Sequence, residues 1–283
     1  MNLFRLLILF IFVSFISACG LKQDVKTSEI QKIKKVAVIL YTVPEQIVRR
    51  SSPTDPADSG LLGMMAGIAE GNVGLNAANT AHKTFTETLN KQSLSFQVVS
   101  QSEMMSNQAF KALYVPPKPK PAAKESDGVM GFLGNMLMST VTPPPEMQGI
   151  APTHMMQFGL TVFASGSALT GKPGELAYIQ KAIEALKVDA AILINDSGFS
   201  YSCEICIGDS GAASTGSAFT ATMVTRSGNV ILNMQEWFAT TDAQAVMYAG
   251  IVNPLQQTSL FEEHGRRMAV VMADALKESM GKK

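Results

Sequence analysis

Residues Val36 to Tyr41 (VAVILY) form an unbroken apolar run rich in β-branched side chains. A strand with one face in water alternates apolar and polar residues, so a run of this kind marks a strand buried on both faces. A sheet built on such strands has to be covered by helices, which makes the fold class α/β. Val188 to Asn195 (VDAAILIN) reads as a further strand.

The rest of the pattern fills in around these runs. From about Asn76 to Lys91, Ala81, Phe85 and Leu89 recur every four residues, as in a helix with one buried stripe. Ser95 to Val99 reads as a strand and Ser102 to Leu113 as a helix. Leu176, Ile179, Ile183 and Leu186 share a helical face ahead of the Val188 strand. Gly216 to Thr225 and Asn229 to Thr240 flank Ser227-Gly228-Asn229, a hairpin signal because glycine and asparagine tolerate positive φ. Ser259 to Glu262 has the S-x-x-E form of a capping box, and Phe261, Met268, Met272, Ala275 and Leu276 line one side of a closing helix. The predicted order is β-α-β-α, a long irregular insertion at about 114–173, then α-β-β-β-α. This is a single mixed β-sheet packed by helices, occupying residues 33–283, with irregular Gly/Met-rich and Pro-rich loops. Pro116, Pro117, Pro119, Pro121 and Pro143 to Pro145 break regularity inside the insertion.

The amino terminus reads as an address. Arg5 precedes an uncharged apolar run from Leu6 to Phe15, and Ile16-Ser17-Ala18-Cys19 follows. A membrane-spanning helix needs about 20 apolar residues, and this shorter run gives way at once to Gly20, Lys22, Gln23 and Asp24. Residues 1–18 are therefore expected to be a cleaved signal peptide. Ile16 to Cys19 resemble the lipobox of bacterial lipoproteins, which implies a diacylglycerol on the Cys19 sulfur and an acylated amino terminus. Each buried methylene contributes about 0.8 kcal/mol, so such an anchor is effectively permanent. Gly20 stands where the family's inner-membrane retention signal has aspartate, so the resemblance implies an outer membrane and a periplasmic face. Residues 19–32 are polar and lack apolar periodicity, and read as a flexible, disordered tether.

The chain carries 23 basic and 23 acidic residues, and the leader contains one base, Arg5. Neither this balance nor any Lys/Arg run supplies the basic surface that releases phosphate counterions, so nucleic acid is not an expected partner. With 46% hydrophobic residues the chain has ample material for a core.

LKVDAAILINDSGFSY (186–201), then a strand, then ATMVTRSGNVILNMQEW (221–237), together with KKVAVILY (34–41), resembles periplasmic α/β lipoproteins. These are related to the curli-secretion channel lipoprotein, the penicillin-binding-protein activator lipoproteins and the TolB amino-terminal domain. The matching positions are Asp189, Ala190, Ile192, Ile194, Arg226, Gly228, Val230 and Trp237. The resemblance covers about half of the mature chain and implies a scaffold or envelope-assembly role, sometimes through oligomers, without a catalytic site. The two Gly/Met-rich stretches and the proline-lysine segment depart from it, so no functional residue carries over.

Several motifs bear on chemistry. Cys203 and Cys206 are spaced C-x-x-C in a compartment expected to be oxidising, so a local disulfide is the default. A redox dithiol would need the first cysteine at a helix amino terminus, and Ile207 to Gly211 reads as loop. No nearby histidine completes a metal site. Gly208 to Gly211 and Thr80-Ala81-His82 weakly echo serine-protease segments, but Ala212 stands where glycine belongs and His82 reads as the start of a helix. Gly166 to Lys172 has P-loop spacing, but Pro173 replaces the magnesium-binding hydroxyl, so no nucleotide or other cofactor is expected. Gly60 to Gly74 and Gly128 to Met138 combine glycine with apolar residues. Their side chains Leu61, Leu62, Met64, Met65, Met130, Phe132, Leu133, Met136 and Leu137 form the candidate interaction surface, with packing onto the chain's own core as the competing use.

The expectation is thus a non-enzymatic, lipid-anchored envelope protein that binds or scaffolds an unidentified envelope component. The alternatives are self-association into a membrane-inserting assembly or secretion component, and a thiol oxidoreductase.

Overall fold

The computed structural model describes residues 23–45, 47, 73–113, 147–150, 173–207, 210–242, 245–248 and 251–281. Strands β2 (Lys35–Pro44) and β5 (Ala190–Asn195) run parallel in the middle of a curled mixed sheet, Val36 opposite Ala190 and Thr42 opposite Asn195. Val36 and Val38 enter one apolar core, while Ala37 and Ile39 enter the other. The unbroken run is thus explained: each face of β2 has its own helical cover.

Helices α2 (Val73–Asn90) and α6 (Gln257–Gly281) cover the first face, with Ala81, Phe85 and Leu89 buried as their spacing predicts. Helices α3 (Gln101–Ser106), α4 (Gln108–Lys111) and α5 (Pro173–Leu186) cover the second through Met104, Phe110, Ile179 and Ile183. Strand β3 (Gln97–Val98) joins the start of β2 in parallel, and β4 (Met147–Ile150) joins its end antiparallel. Just ahead of β5, the Asp189 carboxylate accepts the backbone N–H groups of Lys34 (2.8 Å) and Lys35 (3.0 Å). That fixes where β2 enters the sheet and gives Asp189 a structural role.

On the other side of β5 lies β7 (Ser210–Thr225), then β8 (Val230–Thr240), both antiparallel. Gly228 turns the hairpin between them at φ +85°, as its sequence predicts. Two strands flank β7 beyond this zone. After a break at Asp196 to Phe199, β6 (Ser200–Ile207) continues along the edge that β5 occupied. On the opposite edge β8 ends at Thr240, and β9 (Ala245–Tyr248) resumes, itself paired with β10 (Ile251–Val252). The result is a long three-stranded ribbon whose outer half is β6, the start of β7 and β9.

Four expectations need correction. The tether expected over 19–32 does not hold from Gln23 onward: β1 (Gln23–Val25) pairs with β8, and α1 (Thr27–Ile30) buries Ile30 completely. Elements of three and four residues are too short to show periodicity, which is why the sequence hid them. The insertion expected at 114–173 contains β4, which takes its order from the edge of β2. Ile207 and Ser210-Gly211 are strand rather than loop, because β6 and β7 pair up to the Ile207–Ser210 row. His82 lies in the middle of α2, which begins at Val73.

Helices α2 and α6 meet closely at Gly265, where a Cβ would sit 2.2 Å from the Ala81 carbonyl oxygen and 2.3 Å from Thr84 Oγ1. Backbone cannot yield as a side chain does. Gly265→Ala is expected to destabilise the fold by roughly 1–3 kcal/mol despite alanine's better helix propensity, measured by urea unfolding.

Candidate functional site: a buried polar seam and an exposed apolar sheet end

The breaks that separate β5 from β6 and β8 from β9 fall beside the same stretch of β7. A strand leaving the ladder strands backbone groups that must find other partners. Asp196 N–H donates to Thr42 O (2.8 Å), Gly198 N–H to Ala218 O (3.2 Å) and Thr241 N–H to Thr215 O (3.0 Å). Thr215 N–H turns to the Thr241 side-chain oxygen instead of a strand carbonyl (2.9 Å).

Side chains converge on this point from three directions. The Asp196 carboxylate accepts His264 Nε2–H at 2.7 Å through Oδ2, and Ser217 O–H at 2.8 Å through Oδ1. His264 Nδ1 lies 3.0 Å from Thr215 Oγ1, which lies 3.2 Å from Thr241 Oγ1. The Phe199 ring stacks on the imidazole with centroids 3.8 Å apart. The seam continues through Met268, whose sulfur accepts Tyr41 O–H at 3.1 Å, and Tyr41 meets the edge of His82. Burial, and after it the nearby Asp196 charge, raises the Tyr41 phenol well above its usual range, so it stays a neutral donor. His82 donates Nε2–H to Val38 O at 2.9 Å. Its burial, partly offset by that hydrogen bond, lowers its pKa to about 4, and the imidazole is neutral at pH 7.

The order carboxylate, imidazole, hydroxyl is that of a nucleophilic triad, but its access is not. Thr215, Asp196 and His264 are all buried, and the Thr215 hydroxyl is enclosed between the imidazole and Thr241. The arrangement ties α6 to the point where the ribbon changes partners. Sequence reasoning found no convergent titratable set. One signal was available: His264 occupies the apolar stripe of the closing helix, between Phe261 and Met268.

Beyond the seam the ribbon has an apolar outer face. Ala212 pairs with Ile205 on one side and Val246 on the other, and cross-strand partners point the same way. Two residues further along, Ile207 and Tyr248 extend the same face. Leu255, in the 3-10 turn Pro254–Gln256, follows beside β9, where Val246 N–H is taken by Gln256 Oε1 and Val246 O by Asn253 N–H. Ile207 is 92% exposed, Leu255 91%, Ile205 78%, Tyr248 77% and Val246 55%. Scattered exposed hydrophobics are ordinary, whereas contiguous ones mark a contact surface.

Cys203 and Cys206 occupy the opposite face of β6. A bulge at Glu204 lets Cys203 pair with Ala213 and Cys206 with Gly211, so residues three apart share one side. Their sulfurs meet with Cα atoms 5.9 Å apart, a span that suits a disulfide. The pair sits on a strand, without the helix amino terminus that would activate a thiol. Among the described residues no group of three or more His, Cys, Asp and Glu could hold a metal ion. Cys19 and the candidate contact residues Leu61, Leu62, Met64, Met65, Met130, Phe132, Leu133, Met136 and Leu137 lie outside the described residues. Comparison with protein-family models, curated proteins and solved structures finds no match to the chain.

Two outcomes follow from the seam. Asp196→Ala leaves His264 buried without its acceptor and is expected to cost on the order of 3 kcal/mol in urea unfolding, whereas Asp196→Leu combined with His264→Leu costs less than the two single changes summed. His82 binds a proton more weakly folded, at about 4, than unfolded, near 6.5. Its contribution is therefore complete above about pH 6.5 and is lost as pH falls toward 4, about 3 kcal/mol in total. His82→Gln is expected to flatten the fall of the urea midpoint across that window.

Proposed function

We infer that this chain is a non-enzymatic, lipid-anchored envelope protein. Cys19 holds it at the outer membrane facing the periplasm, and its apolar sheet end is the surface through which it binds or scaffolds another envelope component. The observation that carries this is an inversion of the usual polarity. Carboxylate, imidazole and hydroxyl groups of the seam are enclosed, while Ile205, Ile207, Val246, Tyr248 and Leu255 face outward. Reactive groups shut inside stiffen a scaffold, and apolar groups displayed outside favour contact. The resemblance to periplasmic α/β lipoproteins and the lipobox around Cys19 support the same assignment. The Cys203–Cys206 pair serves it as a staple that closes the bulge at position 204 within β6.

Mass spectrometry of the mature full chain from membranes tests the anchor. The expected amino-terminal peptide starts at Cys19 and carries acyl chains, and Cys19→Ala shifts the protein out of the membrane fraction. An unacylated, freely soluble mature protein overturns the assignment.

A further inference from the structure

We propose that the apolar sheet end rests on the lipid bilayer that holds the anchor, at the boundary between headgroups and acyl chains, and so fixes the orientation of the whole domain. This rests on the assignment of Cys19 as the lipid-bearing residue and identifies the bilayer itself as the envelope component that the exposed face contacts.

Strand direction carries the inference. Strand β1 is antiparallel to β8, Gln23 opposite Met234 and Val25 opposite Leu232, and β8 is antiparallel to β7, Met234 opposite Ala221 and Leu232 opposite Met223. Strand β1 therefore runs with β7, and its amino end points along β7 toward Ser210. Cys19 precedes Gln23 by four residues, a reach of about 14 Å at full extension. From Ala221 to Ser210 the ribbon extends eleven residues, about 36 Å, in that same direction. A lipid on Cys19 thus pulls the domain toward the bilayer with the hairpin end leading. The ribbon outreaches the tether by about 22 Å, more than one hydrocarbon leaflet, so it lies inclined to the bilayer and its outer face, not an upright tip, meets the boundary.

The chemistry of that face suits the boundary. The sequences of β6, β7, β9 and the Pro254–Gln256 turn contain one acid, Glu204, and no lysine or arginine, with Asp209 between β6 and β7 in the sequence. Without basic residues the surface has no preference for anionic lipid, so a zwitterionic bilayer suffices. Exposed Ile205, Ile207 and Leu255 supply apolar area, and Tyr248 is the residue type that favours the headgroup level. Four or five side chains are a weak membrane ligand for a free protein, but the anchor makes their insertion intramolecular.

Lipidated full-length Ile207→Trp reconstituted in phosphatidylcholine vesicles with brominated acyl chains tests this. Lys111→Trp, at the far end where Asn107 bonds the end of α5, is the control, and the unsubstituted chain with its single tryptophan sets the background. The expected result is loss of the added emission at position 207 and its retention at 111. Equal quenching at both positions, in protein whose mass confirms a lipid on Cys19, overturns the proposal and leaves the anchor standing. Emission at 207 shielded from bromine but shifting with protein density per vesicle assigns the face to a second copy and also overturns it. Absence of lipid on Cys19 overturns both.

Discussion

Asp196 and His264 meet at 2.7 Å inside the domain, beside the stretch of β7 where one set of partner strands gives way to another. Both flanking strands leave the ladder there, and free polar groups in an apolar core would otherwise be costly. Asp196, Thr215, Ser217 and Thr241 answer each other across the break, and His264 brings α6 into the same network. Because α6 is held at this point, Leu260, Phe261 and Met268 pack over the ribbon and its outer half stays attached to the α/β body. Without this tie the β6–β7–β9 extension would have little beneath it.

That extension separates two jobs that loops commonly share. Its inner face packs Ala213, Ala245 and Met247 into the core, with Cys203 partly buried against them. Its outer face leaves Ile205, Ile207, Val246 and Tyr248 in solvent. The two-residue period of a strand makes both possible in the same segment. The bulge at Glu204 resets the period so that both cysteines fall on the inner side. Pairing of β6 and β9 with β7 sets these side chains in a row on one side of the sheet.

Much of the α/β body was legible in local pattern. VAVILY indicated a strand covered on both faces, the stripe through Ala81, Phe85 and Leu89 indicated α2, and Gly228 marked the β7–β8 turn. The outer half of the ribbon was not. SYSCEICI (200–207) reads as a cysteine motif beside a loop because the Glu204 bulge interrupts its alternation, and β1 and α1 are too short to leave a period. For the candidate site, Cys203 and Cys206 were named from spacing alone, while Asp196, Thr215, Thr241 and His264 were not grouped at all.

The physical reason is range. Periodicity, turn preference and a short export motif are properties of neighbouring residues, so the sequence by itself determined the layered class, several helices and strands, and the expected lipid address. Asp196 and His264 are 68 residues apart, and Thr215 and His264 49. Their meeting depends on strand register, on where both partners of β7 break, and on how α6 lies across them. Those are decided only when the chain closes on itself, and so is the exposure of Ile207 and Tyr248 on one face at the end toward which β1 points.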